Sequence, residues 1–243
     1  MLPIDINCDL GEGFTTDELI MPYITSANIA CTYHAGNEES MRNTVLLAVK
    51  HKVNIGAHPS FLDKENFGRT ELKTSPKEVY DLVRNQLVFL QKVVAENNTV
   101  LHHVKPHGAL YNIAAKDSTI AKAICRAVKD FNQHLKIYGL SNSCMITEAN
   151  AIRLTAMNEV FADRTYQDDG SLTPRSLPNA LIEDENKAVE QVLQMVQYGT
   201  VKTVSGKQIP IQAETVCIHG DGKYAVQFAQ RLNKDLGNLS SEA

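Results

Sequence analysis

Val100-Leu101-His102-His103-Val104-Lys105-Pro106-His107-Gly108-Ala109-Leu110-Tyr111-Asn112 is the stretch on which the fold turns. A short strand-like run gathers two histidines and a lysine and then stops at Pro106, since proline has no N–H to give a central strand. The strand therefore ends at Lys105 and delivers His107 onto the loop beyond it. Alternation puts His103 and Lys105 on one face and His102 and Val104 on the other.

Other apolar runs end the same way. Residues 53–57 lead into His58-Pro59, and residues 26–31 lead to His34. Residues 159–162 give way to Asp163-Arg164, and residues 215–218 to His219-Gly220-Asp221. The first run, 3–8, puts Ile4, Ile6 and Cys8 on one face and Asp5, Asn7 and Asp9 on the other, a pattern shared by a half-exposed edge strand and by a barrel strand with a polar interior and helices outside. Residues 136–140 complete a set of seven strands.

Between the strands the period changes to that of helices. Met41, Val45, Ala48 and Val49 mark a helix over 39–51, and Ser75-Pro76-Lys77-Glu78 is a capping box with proline at the first helical position. Asp117 or Ser118 caps another helix, a short one runs to Ile152, and residues 183–198 form one that stops at Gly199. A final helix extends to about Leu232. A small hairpin near 200–212 reads as decoration, and the long polar loop after residue 162 as a functional segment. Strands alternating with helices predict an α/β fold. A doubly wound sheet binds at one switch point, whereas polar groups at most strand ends suit a closed barrel with all ends at one mouth. The expectation is an irregular seven-stranded (β/α) barrel in a single domain, 1–243.

The composition fits a soluble globular chain, with 43% hydrophobic and 21% charged residues. A net charge of −4 argues against nucleic acid or an acidic membrane as partner. No run approaches the ~20 apolar residues of a membrane helix. The N-terminus lacks the basic and apolar segments of a signal peptide, so a cytoplasmic location is expected. Five cysteines without a C-x-x-C pair read as reduced and structural.

A lone histidine at a strand end is more often a satisfied hydrogen-bonding group than a ligand, but five of them are harder to dismiss. The spacing permits a carboxylate and two or three imidazoles to converge on a hydrolytic divalent metal. It equally permits a metal-free site in which Asp9 or a histidine activates water. Asp9, His58, Lys105 and His107 are the catalytic candidates. Lys105, Arg69, Arg164 and Arg175 would favour an anionic carboxylate or phosphate substrate. Glu12, His34, Asp163, His219 and Asp221 complete the candidate substrate contacts. The chain has neither a Walker G-x-x-x-x-G-K-[ST] motif nor a kinase signature.

Seven motifs resemble the LamB/YcsF family: Asp5-Ile6-Asn7-Cys8-Asp9-Leu10-Gly11-Glu12-Gly13, Ser26-Ala27-Asn28-Ile29-Ala30-Cys31, Gly56-Ala57-His58-Pro59-Ser60-Phe61, Asn66-Phe67-Gly68-Arg69, His103-Val104-Lys105-Pro106-His107-Gly108, Glu159-Val160-Phe161-Ala162-Asp163-Arg164 and Cys217-Ile218-His219-Gly220-Asp221. They follow the family order from residue 4 to 222. The resemblance implies one component of an ATP-dependent 5-oxoprolinase, which opens 5-oxo-L-proline to L-glutamate with subunits B and C, ATP being used at the level of the complex. It also implies a barrel like that of glycoside hydrolases and deacetylases. Deacetylases on that fold hold a metal with Asp-His-His, for which the equivalents by position are Asp9, His58 and His103 or His107. A stand-alone metal-dependent amidase or carbohydrate deacetylase, and a non-catalytic substrate-binding component, are the rival readings. The chain departs from the family pattern at Thr32, Tyr33 and Asn37, where the family has Gly, Phe and Asp.

Overall fold

A computed structural model describes residues 4–220 and 224–241. In chain order, β1 (Asp5–Leu10) leads through α1 (Asp17–Ile20) to β2 (Ser26–Ala30), α2 (Glu38–His51), β3 (Asn54–His58) and α3 (Pro76–Glu96). Then come β4 (Leu101–Val104), α4 (Gly108–Lys116), α5 (Ser118–Phe131), β5 (Lys136–Leu140), α6 (Cys144–Ala151) and β6 (Ala156–Phe161). The chain ends with α7 (Glu185–Tyr198), the hairpin of β7 (Thr200–Lys202) and β8 (Gln208–Pro210), β9 (Thr215–His219) and α8 (Ala225–Ser241).

Seven parallel strands close into a barrel in the order β1-β2-β3-β4-β5-β6-β9, with β1 pairing β9. The expected seven strands are all present, and so is closure. The register slips between Ile55 and Gly56 where β3 meets β4. There His103 fills the space over Gly56: a Cβ at residue 56 would lie 2.1 Å from its Nε2.

The apolar core lies between strands and helices. Cys8, Ile29, Val104, Ile137, Val160 and Ile218 face it from the barrel, and Val45, Val83, Leu87, Leu90, Ile124 and Val128 from the helices. The capping box at Ser75 and Glu78 forms as the sequence indicates. Inside the barrel the packing is polar. Asn7 Nδ2 donates to Thr215 Oγ1 at 2.7 Å, and Thr215 Oγ1 donates to Asp5 Oδ2 at 2.6 Å. Ser26 Oγ donates to Asp5 Oδ1 at 2.7 Å, and Asn28 Nδ2 to Asn7 Oδ1 at 2.7 Å. Each such bond is worth about 1 kcal/mol net, but leaving one partner unpaired costs more. The polar face of β1 is therefore the lumen.

Three local expectations change. His107 lies on the connection beyond the strand as expected, but a helix not expected there, α4, begins at the next residue: His107 is its extended N-cap, and its backbone N–H donates to Pro59 O at 2.8 Å. The last helix continues past Leu232 to Ser241. The hairpin is not mere decoration, because it is tied to the loop between β6 and α7. Thr203 Oγ1 and Ser205 Oγ both donate to Asp168 Oδ1 at 2.6 Å, and Lys207 pairs with Asp168 Oδ2 at 2.8 Å.

The departures from the family pattern also have structural readings. Thr32 stands at φ +69°, a left-handed conformation that glycine adopts freely and a β-branched residue does not. Asn37 is the N-cap of α2, where it accepts from Ser40 N at 2.9 Å. Asparagine and aspartate cap comparably well, so the change at 37 keeps the cap.

Candidate functional site

Strand order brings the C-terminal ends of β1, β3, β4, β6 and β9 to one mouth. Below it lies Lys105, whose side chain is 2% exposed. Its ammonium lies 2.9 Å from Asp9 Oδ1, 3.1 Å from Asn7 Oδ1 and 3.0 Å from Cys217 Sγ. Glu159 Oε1 is 2.8 Å away, an ion pair without aligned hydrogen-bond geometry. Burial alone lowers an amine's pKa, but Asp9, Cys217 and Glu159 outweigh it and hold Lys105 well above its ordinary value. Its hydrogens are committed to protein atoms. Lys105 thus serves as counterion to two buried acids, Asp9 and Glu159, while also lining the floor of the cavity above them.

Asp9 is held in its charged form. Burial pushes its pKa up, but the opposing effect of His58 and Lys105 leaves it well below the usual carboxylate range. Asn28 Nδ2 donates to Asp9 Oδ1 at 2.8 Å, so that oxygen is fixed from two sides. Oδ2 lies 3.4 Å from His58 Nε2.

Four more groups gather beside Asp9. His58 Nδ1 donates to Lys105 O at 2.7 Å, and His107 Nε2 donates to Phe67 O at 2.9 Å. The other nitrogens of these rings, His58 Nε2 and His107 Nδ1, lie 2.8 Å apart. His34 stacks on His107 with ring centroids 3.8 Å apart, and its Nε2 is 3.1 Å from Glu12 Oε1. Burial first, then the neighbouring His58, pushes the His34 pKa down to about 2, so this imidazole is neutral.

On the far side His219 Nδ1 donates to Asp163 at 2.8 Å. Burial raises the Asp163 pKa, but His219 and the nearby arginines reverse that and hold it low. Arg164 is buried, and donates to Thr173 O at 2.5 Å and Ala180 O at 3.3 Å. Burial and then Arg175 bring its pKa down to about 10, which leaves it cationic at neutral pH. Asp221 lies outside the described residues.

A cavity of about 430 Å³ opens above these groups. Asp9, His58 and His219 line its base, and Arg69, Arg164 and Arg175 its sides. Its size falls in the range of small-molecule sites, ~300–1,000 Å³. Sequence reading missed Glu159, Asn28 and Tyr111. Tyr111 Oη donates to Glu159 Oε2 at 2.6 Å. A charged residue inside the apolar run at 159–162 was the available signal, since a buried carboxylate needs a partner.

The Asp9, His58 and His103 triad is not gathered. His103 Nε2 lies 2.7 Å from Asn28 Oδ1, and its ring stacks on Tyr138 at 4.1 Å, one layer deeper in the barrel. The Asn28 side chain stands between His103 and Asp9. His107 is the histidine that meets His58.

The model of the LamB/YcsF family matches residues 4–242. The chain is 51% identical over 234 residues to a Bordetella pertussis protein that is named as the A component of 5-oxoprolinase, covering 94% of this chain and 93% of that one. It is 52% identical over 242 residues to the protein of the same name from Geobacillus kaustophilus, covering 98% and 94%. Among solved structures, the lactam utilization protein of Thermus thermophilus superimposes with a TM-score of 0.91 at 37% identity, covering 98% of both chains. The motifs at the strand ends, the closed barrel they build and these full-length matches agree: the chain belongs to the LamB/YcsF family.

Proposed function

We propose that the chain is the ring-opening component of a cytoplasmic, ATP-dependent 5-oxoprolinase that works with subunits B and C. The names of its relatives support the substrate, 5-oxo-L-proline. The observation that carries the reading is Asp9: an ionised carboxylate with one oxygen clamped and the other facing His58, at the base of a cavity sided by three arginines.

A lactam carbonyl is a poor electrophile, so ATP is used to activate it. Transfer of the terminal phosphoryl group to the amide oxygen releases ADP and makes the ring carbon electrophilic. The partner subunits supply or complete that step, as this chain lacks a phosphate-binding loop. Asp9 Oδ2 takes a proton from water as its oxygen bonds to the ring carbon. The ring nitrogen takes a proton from His219, which lines the cavity and is oriented by Asp163, and the C–N bond breaks. The resulting γ-glutamyl phosphate loses phosphate to a second water, giving L-glutamate. Arg69, Arg164 and Arg175 hold the carboxylate and phosphoryl charges, while Lys105 keeps Asp9 ionised and in place.

Glutamate release from 5-oxoproline and ATP, measured for the chain alone and with subunits B and C, tests this reading. Turnover is expected only in the mixture. Asp9→Asn should lower it by about 10²–10⁴-fold without changing the circular dichroism spectrum. Undiminished turnover with Asp9→Asn would remove the ring-opening step from this site. ATP-independent deacetylation by the chain alone would replace the reading with that of a stand-alone amidase.

A further inference from the structure

We propose that Glu12, His34, His58 and His107 form a binding site for one divalent transition-metal cation. Each offers a ligand atom, and these atoms all lie within 4.8 Å of one another in a buried cluster. The site adjoins Asp9 in the same mouth, and its occupancy does not depend on which reaction the mouth performs.

Two hydrogen bonds carry the argument. A backbone carbonyl only accepts, so a ring nitrogen bonded to one must carry the proton. His58 Nδ1 is bonded to Lys105 O, and His107 Nε2 to Phe67 O. In neutral rings the opposite nitrogens, His58 Nε2 and His107 Nδ1, then hold bare lone pairs. Those two lone pairs face each other across 2.8 Å. The arrangement is repulsive unless an electrophile sits with them, either a proton or a metal cation.

The surroundings favour the cation. A proton shared by two rings would engage only two of the four converging groups. Glu12 Oε1 lies 3.6 Å from His107 Nδ1 and 3.1 Å from His34 Nε2, so a carboxylate and a third imidazole close on the same point. Carbonyls that hold the far nitrogen of each ring are also the usual outer partners of metal-bound histidines. His34 is the weakest of the four, because its Nδ1 is buried without a partner and would carry the ring proton on coordination. Three imidazoles and one carboxylate suit zinc, cobalt or nickel and disfavour magnesium and calcium. Asp9 Oδ2, 3.4 Å from His58 Nε2, lies at the edge of the site.

The test is direct metal binding. The purified chain is stripped with a chelator, equilibrated with Co²⁺ or Zn²⁺, desalted and assayed for metal content and for Co²⁺ visible absorption. About one cobalt per chain is expected, with the ligand-field bands of a low-coordinate nitrogen-rich site. Losing an outer partner of a metal costs 10–100-fold in affinity, so losing a ligand should cost more than about 100-fold. Both Glu12→Gln and His107→Gln should show that loss with an unchanged circular dichroism spectrum. If one fails to fold, the other carries the test. His219→Gln, in the neighbouring group of Asp9, Cys217 and His219, should keep the stoichiometry. No retained metal in the parent chain would overturn the proposal and leave a shared proton between His58 and His107. Binding that survives Glu12→Gln and His107→Gln, or is lost only in His219→Gln, would overturn it too.

Discussion

Replacing Lys105 with methionine tests the electrostatic base of the mouth. The substitution keeps most of the volume and removes the charge that lies 2.9 Å from Asp9 and 2.8 Å from Glu159. Breaking a buried ion pair by deleting one partner costs about 3–5 kcal/mol, because the other charge is stranded. A stranded carboxylate can escape by taking up a proton. From pH 7, against an ordinary aspartate pKa near 3.9, that uptake costs about 4 kcal/mol, and from pH 5 only about 1.5 kcal/mol. The deficit should therefore be about 3–5 kcal/mol at pH 7 and shrink by roughly half at pH 5. In the parent chain the depressed Asp9 pKa contributes stability above its unfolded value, lost as pH falls through the folded value. Parent stability should thus change little between pH 7 and pH 5 on account of Asp9, while the variant gains. Urea unfolding at the two pH values reads this directly. In thermal melts the pH 7 deficit corresponds to roughly 6–20 °C for a chain of this size. A Lys105→Met protein within about 1 kcal/mol of the parent at pH 7, or with the same deficit at both pH values, would refute the reasoning.

Two further outcomes are expected. Arg175→Ala removes a cation from the cavity wall and should raise KM for 5-oxoproline or ATP by about tenfold or more while leaving kcat within a few-fold, as steady-state kinetics of the assembled enzyme would show. Thr32→Gly relieves a left-handed β-branched residue and should stabilise the chain by about 1 kcal/mol, seen as a rise in urea midpoint; a fall would mean that the Thr32 side chain contributes more than the strain costs.

The barrel was legible because its strands announce where they stop. Pro59 and Pro106 end β3 and β4 just as a polar side chain leaves each strand, and the alternation of Asp5, Asn7 and Asp9 marks a polar lumen. Helix α4 was not legible. Proline and glycine on either side of His107 read as a loop, whereas here Gly108 takes φ +60° against the backbone of Gly68 and the helix begins at once. The site was legible one residue at a time and not as an arrangement. His103 and Lys105 share a face, but nothing local says that one is a layer deeper, or that Asn28 stands between His103 and Asp9. The counterion role of Lys105 depends on Glu159, 54 positions away on another strand, and only closure of the barrel brings them together.

The link between hairpin and loop separates two kinds of change. Arg164 spans the loop between β6 and α7, and Asp168 fastens that loop to Thr203, Ser205 and Lys207. The groups beneath the cavity hang instead from the barrel strands. Variation in the hairpin can therefore move the rim of the cavity while the groups at its base stay as they are. Relatives with different substrates should differ first in this outer brace.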